Sequence, residues 1–247
     1  MKLSVNNNRM FKKLYTHAIT LMSVVSLLTP FSATAQVTAT SLPEKIIALD
    51  AGHGNGETGA VGICNGVEVI EADVNLAVRA ELQALLIQSG AVVHNVIQVS
   101  SRQDRVADAE SAGADVLISI HHNGSNSQIV DYTQSFVTQK NDKEFASFIH
   151  PKLVLALQLQ DKGIKNDGYG MTVYGSLPGV LTEAYFITNT EAACDFIDYL
   201  NGVENTRVHK EAQAMYEGLV DYFSQPDDGG NDGVKPDKCS LWPECKI

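Results

Sequence analysis

The sequence predicts an α/β fold, a single twisted, mostly parallel sheet flanked by helices on both faces. Three observations carry that expectation. The apolar runs at 45–51 and 115–120 are rich in Ile, Leu, Val and Ala and lack the polar alternation of a half-exposed strand, so they read as strands covered on both sides. Stretches with helical periodicity separate the runs, with Gly90 and Gly113 as stops. The links are short, which makes right-handed parallel crossovers the economical topology.

The first strand, Lys45-Ile-Ile-Ala-Leu-Asp-Ala-Gly-His-Gly54, ends abruptly at Asp50, Gly52, His53 and Gly54. Glycines let the chain turn sharply as it leaves the sheet, so His53 falls just past the carboxyl end of a strand, the edge at which open α/β sheets bind ligands. A Gly-rich loop is expected over 55–66, and then a helix from about Asp73 to Ser89 with Val74, Val78, Leu82, Leu85 and Leu86 on one stripe. Residues 91–98 read as the second strand. Ser101, with Asp104 three residues on, opens a helix to Ala112.

The next run, 115–124, repeats the first: an apolar strand ends in His121, His122 and Asn123 before Gly124. Parallel strands would bring His53 and His121 out at the same edge. A strand is expected near 135–138, then a helix over 142–159 kinked or split by Pro151. A short strand is expected around Thr172 and Val173, and an apolar strand after Leu177 that ends near Glu183. A carboxylate inside such a run needs a partner, because burying it unpaired is costly. Helices over 191–199 and 206–223 complete the globular part. Tyr169, Tyr174 and Tyr185 could line a groove, although such rings more often pack.

The two ends of the chain differ from this core. Lys2, Arg9, Lys12 and Lys13, an apolar stretch from Ala18 to Leu28 and the small residues Ala33-Thr-Ala35 make the three parts of a secretory signal peptide over 1–35, followed by a linker at 36–44. Cleavage there would leave 14 basic against 29 acidic residues, so the formal charge would move from −11 to −15. So acidic a surface disfavours nucleic acid and anionic lipid as partners, and no other apolar run reaches membrane-spanning length, so no stable membrane anchor is expected. Residues 225–247 read as an acidic Gly/Pro linker and a tail that carries Cys239 and Cys245. In an oxidising compartment the four cysteines should pair; Cys239 with Cys245 is the favoured pair, leaving Cys64 with Cys194.

His53, His121, Glu183 and either Glu68 or Glu71 thus gather at strand ends or just before a helix. Two imidazoles and a carboxylate are a catalytic zinc set, and a further acid outside the ligand set would supply the general base.

Asp50-Ala-Gly-His-Gly54, Glu71 four residues before Asn75-Leu76, Ser119-Ile-His121 with Asn123, and Leu181-Thr-Glu-Ala-Tyr-Phe-Ile-Thr-Asn189 resemble, in order, the signature of the zinc-dependent N-acetylmuramoyl-L-alanine amidases. The resemblance runs from Lys45 to about Phe223 and implies a catalytic domain over 45–224. It implies Zn2+ held by His53, Glu71 and His121, with Glu183 as catalytic acid/base. It also implies an exported, periplasmic or extracellular monomer that cuts the amide between N-acetylmuramic acid and L-alanine in peptidoglycan or muropeptides. A zinc peptidase or carboxypeptidase acting on the stem peptide would need the same residues, and a non-catalytic wall-binding module would not need all four. His122 stands where the family often has a small residue, and strand alternation turns it away from His121, toward a supporting role. Between His121 and Glu183 there is room for one helix, so an open site is expected.

Overall fold

The computed structural model describes residues 41–166 and 170–225; the signal pattern at 1–35, Tyr169 and the Cys239–Cys245 pairing lie outside the described residues. The elements in chain order begin with β1 (Ile46–Ala51), β2 (Val61–Cys64), β3 (Val67–Ile70), α1 (Glu71–Gln88), β4 (Val92–Asn95), α2 (Arg102–Ser111) and β5 (Val116–Asn123). They continue with β6 (Thr133–Val137), α3 (Lys140–Leu157), β7 (Asp161–Asn166), β8 (Gly179–Phe186), α4 (Thr190–Leu200) and α5 (Arg207–Phe223). Six strands make the main sheet in the order β4-β1-β5-β8-β6-β7. β4, β1, β5 and β8 are mutually parallel; β6 runs antiparallel to β8, with β7 parallel to β6. The expected mostly parallel sheet is therefore present, with two reversed strands at one side.

Side-chain alternation assigns the two faces. Ile47, Leu49, Ile118 and Ile120 join Val78 and Leu82 of α1 and Met215 of α5 in the larger core, whereas Ala48 and Leu117 point to the other face and meet Val106 and Ala109 of α2. Leu42, in the stretch expected as a linker, is fully buried in the larger core, and its amide donates to the Ser89 carbonyl.

Four local differences from the sequence reading have physical causes. The loop expected over 55–66 contains β2, which pairs with β3 through a two-residue Asn65-Gly66 turn, both residues at positive φ (50° and 84°). Asn-Gly is the favoured pair for such a hairpin turn, so the signal was present. Pro151 does not split α3, which runs unbroken from Lys140 to Leu157. Pro151 lies on the exposed side, while Ile149 and Leu153 are buried to either side of it. The short strand expected at Thr172 and Val173 is a 3-10 turn over Gly170–Val173, whose Met171 fills the smaller core. β7 was not expected at all, because Asp161-Lys-Gly-Ile-Lys-Asn166 has little strand propensity; as an edge strand it carries Lys162 and Lys165, which discourage further pairing.

Cys64 of β2 and Cys194 of α4 form a disulfide across 130 residues of sequence, the pairing held in reserve above. It fastens the hairpin, and with it the start of α1, to the body of the fold.

Candidate metal centre

The parallel register of β1 and β5 brings Asp50 beside Ser119 and Ala51 beside Ile120, so the residues that follow leave the sheet together. His53 follows β1 in the left-handed region (φ 62°), and His121 lies within β5. Their rings meet edge to face, 4.9 Å between centroids. Glu71 is the first residue of α1. It lies there, two residues before the expected start, because backbone rather than side chain caps the helix: the Glu71 and Ala72 amides donate to the carbonyls of Ala60 and Thr58. No capping side chain marks that boundary in the sequence.

Glu71 Oε1 lies 3.1 Å from His53 Nε2 and 3.0 Å from His121 Nδ1, and it accepts a hydrogen bond from the His122 amide at 3.1 Å. Oε2 accepts from the Ala60 amide at 2.9 Å. His53, Glu71 and His121 are the one set of three such residues among the described residues whose ligand atoms all lie within 4.8 Å of one another. Glu68 is exposed on β3 and does not join them. Two glycines make the space. A Cβ at Gly52 would run into the His121 ring, and one at Gly59 would run into the Glu71 carboxylate and crowd His53.

Electrostatics match this geometry. Burial opposes the charge on Glu71, but the hydrogen bonds from His121 and His53 outweigh it, and the carboxyl is held well below the usual carboxylate range. The bond to Glu71 in turn raises the His53 imidazole above its ordinary value, against partial burial. Glu183 behaves oppositely. Its Cα is the register partner of His121 across β5 and β8, and its side chain lines the same cleft of about 300 Å³ as His53, Glu71 and His121. Burial first, then the charges of Glu71 and Glu211, push its carboxyl up to about 8, and its Oε2 has no hydrogen-bond partner. Three groups able to offer lone pairs thus converge, with a fourth, buried carboxyl beside them.

The supports of this cluster were only partly anticipated. Arg105 of α2 forms an ion pair with Asp50 at 2.8 Å and donates to the carbonyls of Ala51 (3.1 Å) and His53 (2.7 Å), while Ser119 Oγ donates to the second Asp50 oxygen at 2.7 Å. A buried charge pair therefore fixes the turn that presents His53. His122 is buried, as its alternation implied, and Tyr185 packs on its ring at 4.3 Å instead of lining a groove. Glu211 of α5, which no motif indicated, accepts or shares a proton with His122 Nε2 at 2.9 Å. Its signal lay in the spacing of Val208, Glu211, Met215 and Leu219, which puts an acid in the apolar stripe of α5.

The N-acetylmuramoyl-L-alanine amidase family model matches residues 47–219. The chain is 36% identical over 192 residues to an uncharacterized protein of Bacillus subtilis, YqiI, covering 73% of this chain and 86% of that one. It is 33% identical over 186 residues to the N-acetylmuramoyl-L-alanine amidase LytC of the same organism, covering 72% of this chain and only 35% of LytC. Among solved structures it resembles the catalytic domain of the amidase CwlV from Bacillus (Paenibacillus) polymyxa var. colistinus, with a TM-score of 0.64 and 27% identity over 72% of this chain and 98% of that one.

Proposed function

Because the chain belongs to the N-acetylmuramoyl-L-alanine amidase family, we propose that it hydrolyses the amide joining N-acetylmuramic acid to L-alanine in peptidoglycan, using zinc held by His53, Glu71 and His121. The observation that carries the zinc assignment is the convergence of two imidazole nitrogens on one carboxylate oxygen, at 3.1 and 3.0 Å, in a space that Gly52 and Gly59 keep clear. Two histidines and one acid suit zinc, and three protein ligands leave a position for water or substrate. When bound there, zinc would supply a Lewis acid that acidifies water and polarises the lactyl carbonyl.

The rest of the chemistry belongs to the side chains. Glu183 takes the proton of the attacking water and returns it to the departing alanine nitrogen, a role suited to a carboxyl whose proton affinity is strengthened by burial. Arg105 and Asp50 hold the turn that carries His53, so the ligand reaches the cleft without reorganising. Buried walls formed by Met171 and Leu181 limit water around Glu183. An open site is supported by two observations: α3 is the one α-helix between His121 and Glu183 among the described residues, and His53 and His121 are partly exposed. The substrate lies outside the cytoplasmic membrane, which agrees with export directed by residues 1–35. Within the described residues no helix is long and apolar enough to cross a membrane.

The test is digestion of purified peptidoglycan by the purified protein, with and without a chelator, with the new ends identified by mass spectrometry. New free L-alanine amino ends on intact glycan strands, abolished by chelation and restored by zinc, are expected. New ends within the stem peptide would replace this reading with a peptidase, and cleavage indifferent to chelation would remove the metal.

A further inference from the structure

A buried polar chain runs behind the metal cluster and joins every element that carries one of its three residues. Asn75 lies one turn after Glu71 on α1, and its Nδ2 donates to the carbonyl of Gly52, the residue before His53, at 3.0 Å. That bond fixes the amide's orientation, so Oδ1 faces His122 Nδ1 at 2.7 Å and accepts from it, which requires a proton on that ring nitrogen. The other ring nitrogen meets Glu211 Oε2 at 2.9 Å. Asn75 and Glu211 are completely buried and His122 is 1% exposed, so no water competes for these bonds. The backbone of His122 closes the circuit, because its amide donates to Glu71 Oε1, the oxygen that both imidazoles face.

We infer that Glu211, acting through His122 and Asn75, is a positioning residue for the metal centre, so that docking of α5 and metal affinity are linked. The inference rests on the reading that His53, Glu71 and His121 hold zinc. With His122 gripped at both nitrogens, Asn75 has one rotamer available, the Gly52 carbonyl is pinned, and the turn that presents His53 is fixed relative to Glu71. If the grip is removed, Asn75 can swing and the ligands lose their common focus. Partners that orient metal ligands from behind typically alter metal affinity by about 10- to 100-fold when lost. Within this buried row Glu211 Oε1 has no hydrogen-bond partner, so the bond of Oε2 to His122 is made at the cost of one unsatisfied oxygen.

The experiment measures zinc affinity of the full chain by competition with a chromophoric chelator, beside thermal unfolding of the metal-free protein. The double variant His122→Phe with Glu211→Leu replaces both partners by apolar groups of similar shape, keeps the packing on Tyr185 and should therefore fold. Its zinc affinity is expected to fall at least about 10-fold. Glu211→Gln, whose amide can still bond Nε2, is expected to stay within about threefold of wild type. Leu219→Ala, on the same helix and equally buried but remote from His122, should lower the unfolding temperature with little change in zinc affinity. Unchanged affinity in the double variant overturns the inference, as does an equal loss in Leu219→Ala, which would mean that any loosening of α5 is felt at the site. Failure of the wild type to bind one zinc per chain would instead overturn the metal reading on which the inference depends.

Discussion

Two buried histidines of this protein are held alike and do different things. His122 is gripped by Asn75 and Glu211 at 2.7 and 2.9 Å, and His150 of α3 by Ser135 and Asp161, each at 2.9 Å. Serine, histidine and aspartate in a row have the residue types of a nucleophilic triad, yet Ser135 has no exposed surface, so no substrate reaches its hydroxyl. The acid of that row, Asp161, lies on the edge strand with its side chain 55% exposed, whereas Glu211 is completely buried. The His150 row joins α3 to β6 and β7 on the antiparallel side of the sheet, and none of its three residues lines the cleft; His122 does line it, with its row directly behind. Access to the open cleft, and not the set of residue types, separates the two rows.

That contrast is broken or sharpened by substitutions on each side. The largest effect is expected in the cleft: Glu183→Gln should lower turnover by roughly 10²- to 10⁴-fold while zinc content stays at that of wild type, and His53→Ala should lose both, as read by metal analysis beside the peptidoglycan assay. A Glu183→Gln enzyme of near-normal rate would remove the acid/base role. At the His150 row a smaller and purely structural effect is expected. Ser135→Ala leaves His150 Nδ1 without its partner and should cost about 1–2 kcal/mol in denaturant unfolding, with kcat/KM unchanged; a large loss of rate there would erase the distinction. The smallest effect is a pH dependence. Burial acts to raise Asp161, but the bond to His150 prevails and the carboxyl sits below its ordinary 3.8. Its stabilising contribution is therefore present above about 3.8 and lost as pH falls through the lower folded value. Asp161→Asn should flatten the acid limb of the unfolding temperature below about pH 4, and an unchanged limb would show that the pair is idle.

What the sequence discloses and conceals follows the same division. The strands that carry His53 and His121 were legible because burial on both faces writes an uninterrupted apolar run, and each run ends in glycine where the chain turns out. The residues alone left Glu68 and Glu71 open, and only the family resemblance, through the distance to Asn75-Leu76, pointed to Glu71, since the helix it begins is capped by loop carbonyls that leave no residue signature. β7 was invisible because a polar edge strand is held by its partner's backbone rather than by its own side chains. Glu211 was hidden for the opposite reason: it occupies a core position, and only its partner on β5, 89 residues earlier, accounts for an acid there. The link from Cys64 to Cys194 could be reached by elimination, but the proximity that permits it comes from the hairpin, whose Asn65-Gly66 turn had been read as loop.

The most direct test of the account is a crystal of the zinc-loaded protein with diffraction measured across the zinc absorption edge. The expected result is one anomalous peak bonded to His53, Glu71 and His121 at about 2.0–2.2 Å, with Glu183 near it but outside the ligand set. A peak that takes Glu68 or Glu183 in place of Glu71, or that lies away from the two histidines, would contradict it.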